Sequence, residues 1–213
     1  MGTFKKGILG GFSGTVGTVV GANWRGMDVM RSRPKSGNRT PTPMQLLQRK
    51  KFAAAIRFQN ARRSMQSRLY GDNAGVQSRV NLAAAYLLKE VVDDDNGEVF
   101  LKMDKVLITK GELTGFEQLT VTTAAGQTLN FSWADNSNQN LASEDDFFGT
   151  AVYEEESETF YIQEGPEQRA SGSATAVLPS LWNGKSVHVY AFFQNAAQNA
   201  ACNSMYLGTA VVQ

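Results

Sequence analysis

The sequence predicts an α+β chain: an N-terminal glycine-rich β-hairpin arm, then a helical hairpin, then an antiparallel β-sandwich. Three observations carry that expectation. Residues 7–24 form an uncharged run punctuated by six glycines. Residues 42–92 then show helical spacing of apolar positions, and from residue 99 onward the pattern changes to short segments of period two separated by turn residues. With 213 residues, 42% of them hydrophobic, the chain is long enough to bury a core. The expected divisions are residues 1–40, an arm and basic connector; 41–95, the helical hairpin; and 96–213, the sandwich.

In the arm, Val16, Val20, Ala22 and Trp24 share one parity and Gly26 interrupts the run. Val29, Met30 and Arg31 begin a return strand that Pro34 ends. A two-stranded ribbon this rich in glycine is marginal alone, so it needs a surface to lie on. That surface is either the chain's own C-terminal region or a neighbouring subunit to which the ribbon adds strands. Lys5 and Lys6 before the uncharged run imitate a targeting signal, but glycine, Ser, Thr and Asn make the segment too polar for a membrane helix. The expectation is a chain made in the cytoplasm, with no membrane partner.

Charge is divided unevenly. Residues 1–70 hold fourteen Lys and Arg against Asp28 alone, whereas residues 71–213 hold seven against nineteen acids, although the whole chain carries only +1. Such asymmetry speaks about partners. Arg31, Arg33, Lys35 and Arg39 form an extended basic connector suited to a phosphate backbone or an acidic protein groove.

The first helix starts at Thr42 as N-cap, with Pro43 in the first turn and Gln45 placed for a capping box. Its expected apolar stripe is Leu47, Ala54, Phe58, Ala61 and Met65, widened by Phe52 and Ile56. The opposite face carries Arg49, Lys50, Arg57, Arg62 and Arg63 without compensating acids, which calls for an outside partner. Gly71 to Gly75 breaks the helix, and a second helix is expected over about Asn81 to Val92. Asp93 to Glu98 then reads as an acidic turn; as a calcium loop it places Val92 and Met103 where oxygen ligands are required.

Candidate strands follow at Val99–Thr109, Gln118–Thr123, Thr128–Ala134, Thr150–Glu155, Thr159–Gln163, Ser173–Leu178, Ser186–Phe193 and Ser204–Val211. Two acidic groups, Glu144 to Asp146 and Glu154 to Glu158, fall near turns and read as a negative surface complementary to the basic arm. They read less well as a glycosidase pair, since no aromatic platform lies near them in sequence.

The inventory argues against an enzyme. Cys202 and His188 are single, which leaves no ordinary Cys/His metal set, and no glycine loop continues into a phosphate-binding GK[ST]. His188, within a strand and near Tyr190, reads as a half-exposed sheet histidine. No catalytic, cofactor or metal residues are expected. Instead, partner-contact residues are expected at Gly14, Gly17, Gly21, Trp24, Arg25, Arg31, Arg33, Arg39, Arg49 and Arg57, with Phe52, Ile56 and Phe58 seating the helix. The partners are protein subunits, either copies of the chain or virion proteins, with nucleic acid bound through Arg31–Arg68 as the alternative.

Three resemblances add to this reading. LNFSWADN (129–136), AVYEEESETFYIQ (151–163) and the run from Ser173 to Ser204 resemble the B, C, E, F and G strands of a fibronectin type III or immunoglobulin-like domain. That resemblance makes Trp133 the buried core tryptophan, although the tyrosine expected near Lys185–Val187 is missing. Lys6–Gly10, Ser13–Gly26, Arg39–Arg49 and Asn203–Gly208 resemble an uncharacterised family of Bacteroidota proteins. The ribbon, basic return and RTP-led helix are similar in order to segments of tailed-phage structural proteins, implying a virion or prophage-derived assembly role.

Overall fold

The computed structural model describes residues 2–213 except 5, 6, 8, 9, 25, 36, 38, 39, 73, 74 and 76. The chain forms two compact units, Met1–Thr42 and Pro43–Gln213.

The first unit is an antiparallel meander of β1 (Thr3–Phe4), β2 (Phe12–Val16), β3 (Val19–Trp24) and β4 (Met27–Ser32), in that spatial order. The expected two-stranded ribbon is thus a four-stranded sheet. The difference arises at residues 17–18, where a two-residue turn with Gly17 at φ 58° folds the uncharged run back on itself. The turn also resets parity. Val16 opposes Val19 and shares its face, while Val20 and Ala22 share the other face with Trp24. The expected four-residue stripe therefore divides between both faces of the sheet.

The second unit opens with α1 (Pro43–Asn60), α2 (Arg63–Leu69) and α3 (Arg79–Tyr86), the last running into a π turn at Leu87–Val91. The first predicted helix breaks at Ala61–Arg62, and that break rotates the faces. Ala61 and Phe52, expected inside, are exposed, while Arg62, expected on the basic surface, is fully buried. The second helix begins two residues before its expected start. Asp93–Asp95 is not a turn but most of β5 (Val92–Asp95), paired with β6 (Glu98–Leu101) around Asn96–Gly97. The strand expected over 99–109 ends at Leu101, where the chain enters a 3-10 turn at Met103–Lys105.

Seven strands make the sandwich. β7 (Glu117–Ala124), β8 (Thr128–Ala134) and β11 (Ser173–Val177) form one sheet in the order β11-β8-β7. β9 (Phe147–Glu154), β10 (Thr159–Gln168), β12 (Ser186–Gln194) and β13 (Met205–Val211) form the other, in the order β10-β9-β12-β13. The segments that resemble B and E strands thus pair in one sheet, and those that resemble C, F and G strands lie in the other.

Between the sheets, the buried Trp133 stacks on Phe148 at 5.0 Å and 6°, and Phe193 lies edge-on at 5.6 Å. The Trp133 indole N–H donates to the Arg169 carbonyl oxygen at 2.8 Å. The other face of the four-stranded sheet is covered too: Phe58 of α1 meets Tyr153 and Phe160 edge-on at 4.9 and 5.1 Å. Helices, four-stranded sheet and three-stranded sheet are therefore three layers around one continuous core. Of residues 41–95, expected as a separate domain, all from Pro43 onward belong to the same unit as the sandwich, because their buried apolar side chains join its core.

Two arginines lie inside this unit, with different surroundings. Arg169 directs Nε and Nη2 to Asp146 Oδ2 at 3.1 and 3.0 Å, Nη1 to Asn136 Oδ1 at 2.7 Å, and further bonds to the carbonyls of Thr114 and Gly115. It also stacks 4.0 Å from the Phe193 ring. Arg62 lies 4.3 Å over the Phe58 ring with one long bond, 3.4 Å, to the Leu107 carbonyl. Burial lowers its pKa to about 10, against a weaker opposing influence of Tyr190, Tyr70 and Tyr153.

Candidate interaction surface

The acidic groups expected as a free partner surface are partly consumed by the fold. Asp146 is buried against Arg169, and Glu154 is buried at the head of the β9–β10 turn. Burial raises the Glu154 carboxyl pKa. Hydrogen bonds from the Ser157 hydroxyl and the backbone N–H groups of Ser157 and Glu156, with Lys185, outweigh it and hold the group at about 2. Glu144, Asp145, Glu155, Glu156 and Glu158 remain exposed.

The basic helix is likewise not uniformly free. Arg57 binds both oxygens of Glu158 at 3.0 and 3.2 Å, Arg68 holds Glu164 at 2.7 and 2.9 Å, and Lys51 pairs with Asp94. The helix carries no acid of its own, as expected, but its charge is not wholly uncompensated, because these partners lie far away in sequence, on the sandwich and the β5–β6 hairpin. Arg49, Lys50 and Arg63 stay exposed, with no ion pair among the described residues. Phe52, expected to seat the helix, is 55% exposed; Phe58 is buried and Ile56 half-buried.

His188 is half-buried in β12, its Nδ1 at 2.8 Å from the Tyr206 hydroxyl and its Nε2 at 2.9 Å from Glu155. Burial pushes the Cys202 thiol up to about 11, which holds it as an inert thiol at neutral pH. No helix of the described residues is long and apolar enough to cross a membrane.

The N-terminal sheet differs from all of this. Among its described residues no hydrophobic side chain is buried. Cross-strand pairing places Val20 opposite Arg31, Ala22 opposite Val29 and Trp24 opposite Met27, so these six residues share one face. Trp24 is 55% exposed and Met27 54%, which leaves an apolar ladder ending at a cation. On the other face Met30 is 74% exposed, beside Val16 and Val19. β4 is an edge strand, and all six of its residues are exposed.

Of the expected contact residues, Trp24, Arg31 and Arg33 lie exposed on β3, β4 and the connector that follows. Arg25 and Arg39 lie outside the described residues. The glycines serve the sheet itself. Gly17 makes the turn, Gly14 has φ 106°, and a Cβ at Gly21 would stand 2.2 Å from the Phe12 carbonyl oxygen. Sequence reasoning missed Met27 and Met30 as contact candidates. They lie on opposite faces of β4 and are exposed because neither face is covered there, a property of packing that parity alone does not carry.

The chain is similar to the fn3 domain of human contactin 1, with 9% identity over 49% of this chain and 82% of that one and a TM-score of 0.37. It is also similar to the fn3 domain of the human collagen alpha-1(XX) chain, with 16% identity over 47% of this chain and 85% of that one and a TM-score of 0.34. No curated protein matches the chain in sequence. A family pattern does match residues 11–208, spanning the exposed sheet, the helices and the sandwich together, and the chain belongs to that family, DUF6266, a family of unknown function.

Proposed function

We propose that this chain is a structural subunit of a protein assembly and that its N-terminal sheet docks on a neighbouring subunit. The observation that carries this reading is the four-stranded sheet with apolar residues on both faces and no buried hydrophobic side chain among its described residues. A sheet gains its stability by burying one face, and ordering each residue costs on the order of 1–2 kcal/mol of backbone entropy. This sheet meets that cost when another surface covers it. The order of ribbon, basic return and RTP-led helix, similar to segments of tailed-phage structural proteins, supports a virion or prophage-derived particle as the setting. The protein is then made in the cytoplasm and resides in the particle.

Velocity sedimentation of native material, with electron microscopy of the heavy fractions, tests the reading. The wild-type chain is expected in a particle, and Trp24→Asp/Met27→Asp is expected to leave it. A chain confined to the light fractions in both cases overturns the assembly role.

Nucleic acid is the second reading, favoured by Arg49, Lys50 and Arg63 standing exposed without ion pairs. Its test is affinity for a duplex against salt. A slope of log affinity on log salt near zero excludes phosphate contacts.

A further inference from the structure

We infer that the neighbour is a second copy of this chain, and that its receiving surface is the cleft between α1 and the β5–β6 hairpin. This rests on the reading of the chain as an assembly subunit. The donor is the segment from Met27 to Lys35. Its Met27, Val29 and Arg31 share one face of edge strand β4, Arg33 and Lys35 follow, and Asp28 points to the opposite face. Residues 1–42 hold seven Lys and Arg against that one acid. A complementary surface must therefore offer an apolar hollow bordered by carboxylates.

One cleft on the C-terminal unit has both properties. Its volume is about 280 Å³, and it is lined by Phe58, Val99, Phe100, Met103 and Tyr153, with Glu155 and Glu158 also on its walls. Phe100 is 46% exposed although it stands on a strand. It shares the outer face of the hairpin with Asp93, Asp95 and Glu98, because Asp93 opposes Phe100 and Asp95 opposes Glu98. On that face Asp93 is already paired with Lys102, which leaves Asp95 and Glu98 for an incoming arginine, a side chain able both to stack on a ring and to bind a carboxylate.

Glu158 is already paired with Arg57, but the two side chains are 49% and 68% exposed. An ion pair that open to water contributes little, so an incoming guanidinium can displace Arg57 at small cost. The apolar residues supply burial and the charges supply register and steering. Donor and receiver are different surfaces, so the contact is heterologous and propagates head to tail into a ring or filament.

The test is charge exchange in the full chain, read by sedimentation velocity. Wild type is expected to associate at low salt, with its midpoint moved at least about tenfold higher in concentration at 0.5 M salt. Arg31→Glu/Arg33→Glu is expected to be monomeric alone, and so is Glu155→Arg/Glu158→Arg. Mixed in equal amounts, they are expected to associate again, because every contact in an alternating array then joins opposite charges.

A mixture that stays monomeric, or single variants that associate like wild type, overturns the proposed contact. As a measurement independent of charge reversal, Arg31→Cys/Glu158→Cys is expected to give an intermolecular disulfide ladder on a non-reducing gel; its absence also overturns the contact. A wild-type chain that is monomeric in isolation, yet lost from native particles on changing Trp24 and Met27, overturns the second copy as partner and leaves the assembly role standing.

Discussion

The N-terminal sheet and the four-stranded sheet of the sandwich have the same number of antiparallel strands and opposite relations to solvent. β9 and β12 are buried along nearly their whole length, under Trp133 and Phe131 on one side and under Phe58 and the segment around Met103 on the other. β3 and β4 bury no side chain on either face. Hydrogen-bonded strand pairing is common to both and so does not explain the difference. What separates them is apolar burial, worth roughly 25 cal/mol per Å² of surface removed from water. One sheet has that contribution within its own unit, and the other, among its described residues, has no fully buried hydrophobic side chain.

The strongest way to break this contrast is to damage the sandwich. Arg169→Met removes the cation facing buried Asp146, and an uncompensated buried charge costs about 3–5 kcal/mol. Urea unfolding of the C-terminal unit is expected to lose that much; a loss under 1 kcal/mol would mean that Asp146 escapes to water. Arg62→Met sharpens the point with a smaller effect of opposite sign. Arg62 is buried without a carboxylate beside it, so an apolar side chain of similar reach is expected to leave stability unchanged or raise it by about 1 kcal/mol.

Acid gives the next effect. The Glu154 pKa lies below that of an unfolded glutamate, so its ionised form stabilises the fold above about pH 4.5, and that stability is lost as pH falls toward 2. The melting temperature is expected to fall over that window in wild type and to fall less in Glu154→Gln. Equal slopes would remove Glu154 as the cause. Least of all, Trp24→Asp/Met27→Asp is expected to change the unfolding free energy of the isolated chain by under about 0.5 kcal/mol, since both side chains are more than half exposed there.

Much of the sandwich was legible in the sequence. Thr128–Ala134 alternates cleanly because one face of β8 meets the core and the other meets water, and its bounds match those expected. FFGTAVYE does not alternate, since β9 is covered on both faces; continuous apolar runs of this kind signal a third layer. The helical stripe failed at Ala61 and Arg62, where the α1–α2 break shifts the phase in a way that a single 3.6-residue period cannot follow. The buried arginines were illegible because their partners are distant in sequence: Asp146 and Asn136 for one, the Phe58 ring and the Leu107 carbonyl for the other. In the candidate surface, Trp24, Arg31 and Arg33 could be named from chain order and charge. Met27 required knowing that it sits opposite Trp24, which the Gly26 turn decides.

Hydrogen exchange followed by mass spectrometry, on the dilute monomer and on the assembled state, tests the central claim most directly. Amides of β9 and β12 are expected to be strongly protected in both. Those of β2, β3 and β4 are expected to exchange quickly in the monomer and to gain at least about a hundredfold protection on assembly. Equal, strong protection of residues 12–32 in the dilute monomer would contradict the account, because the sheet would then be stable without a neighbour.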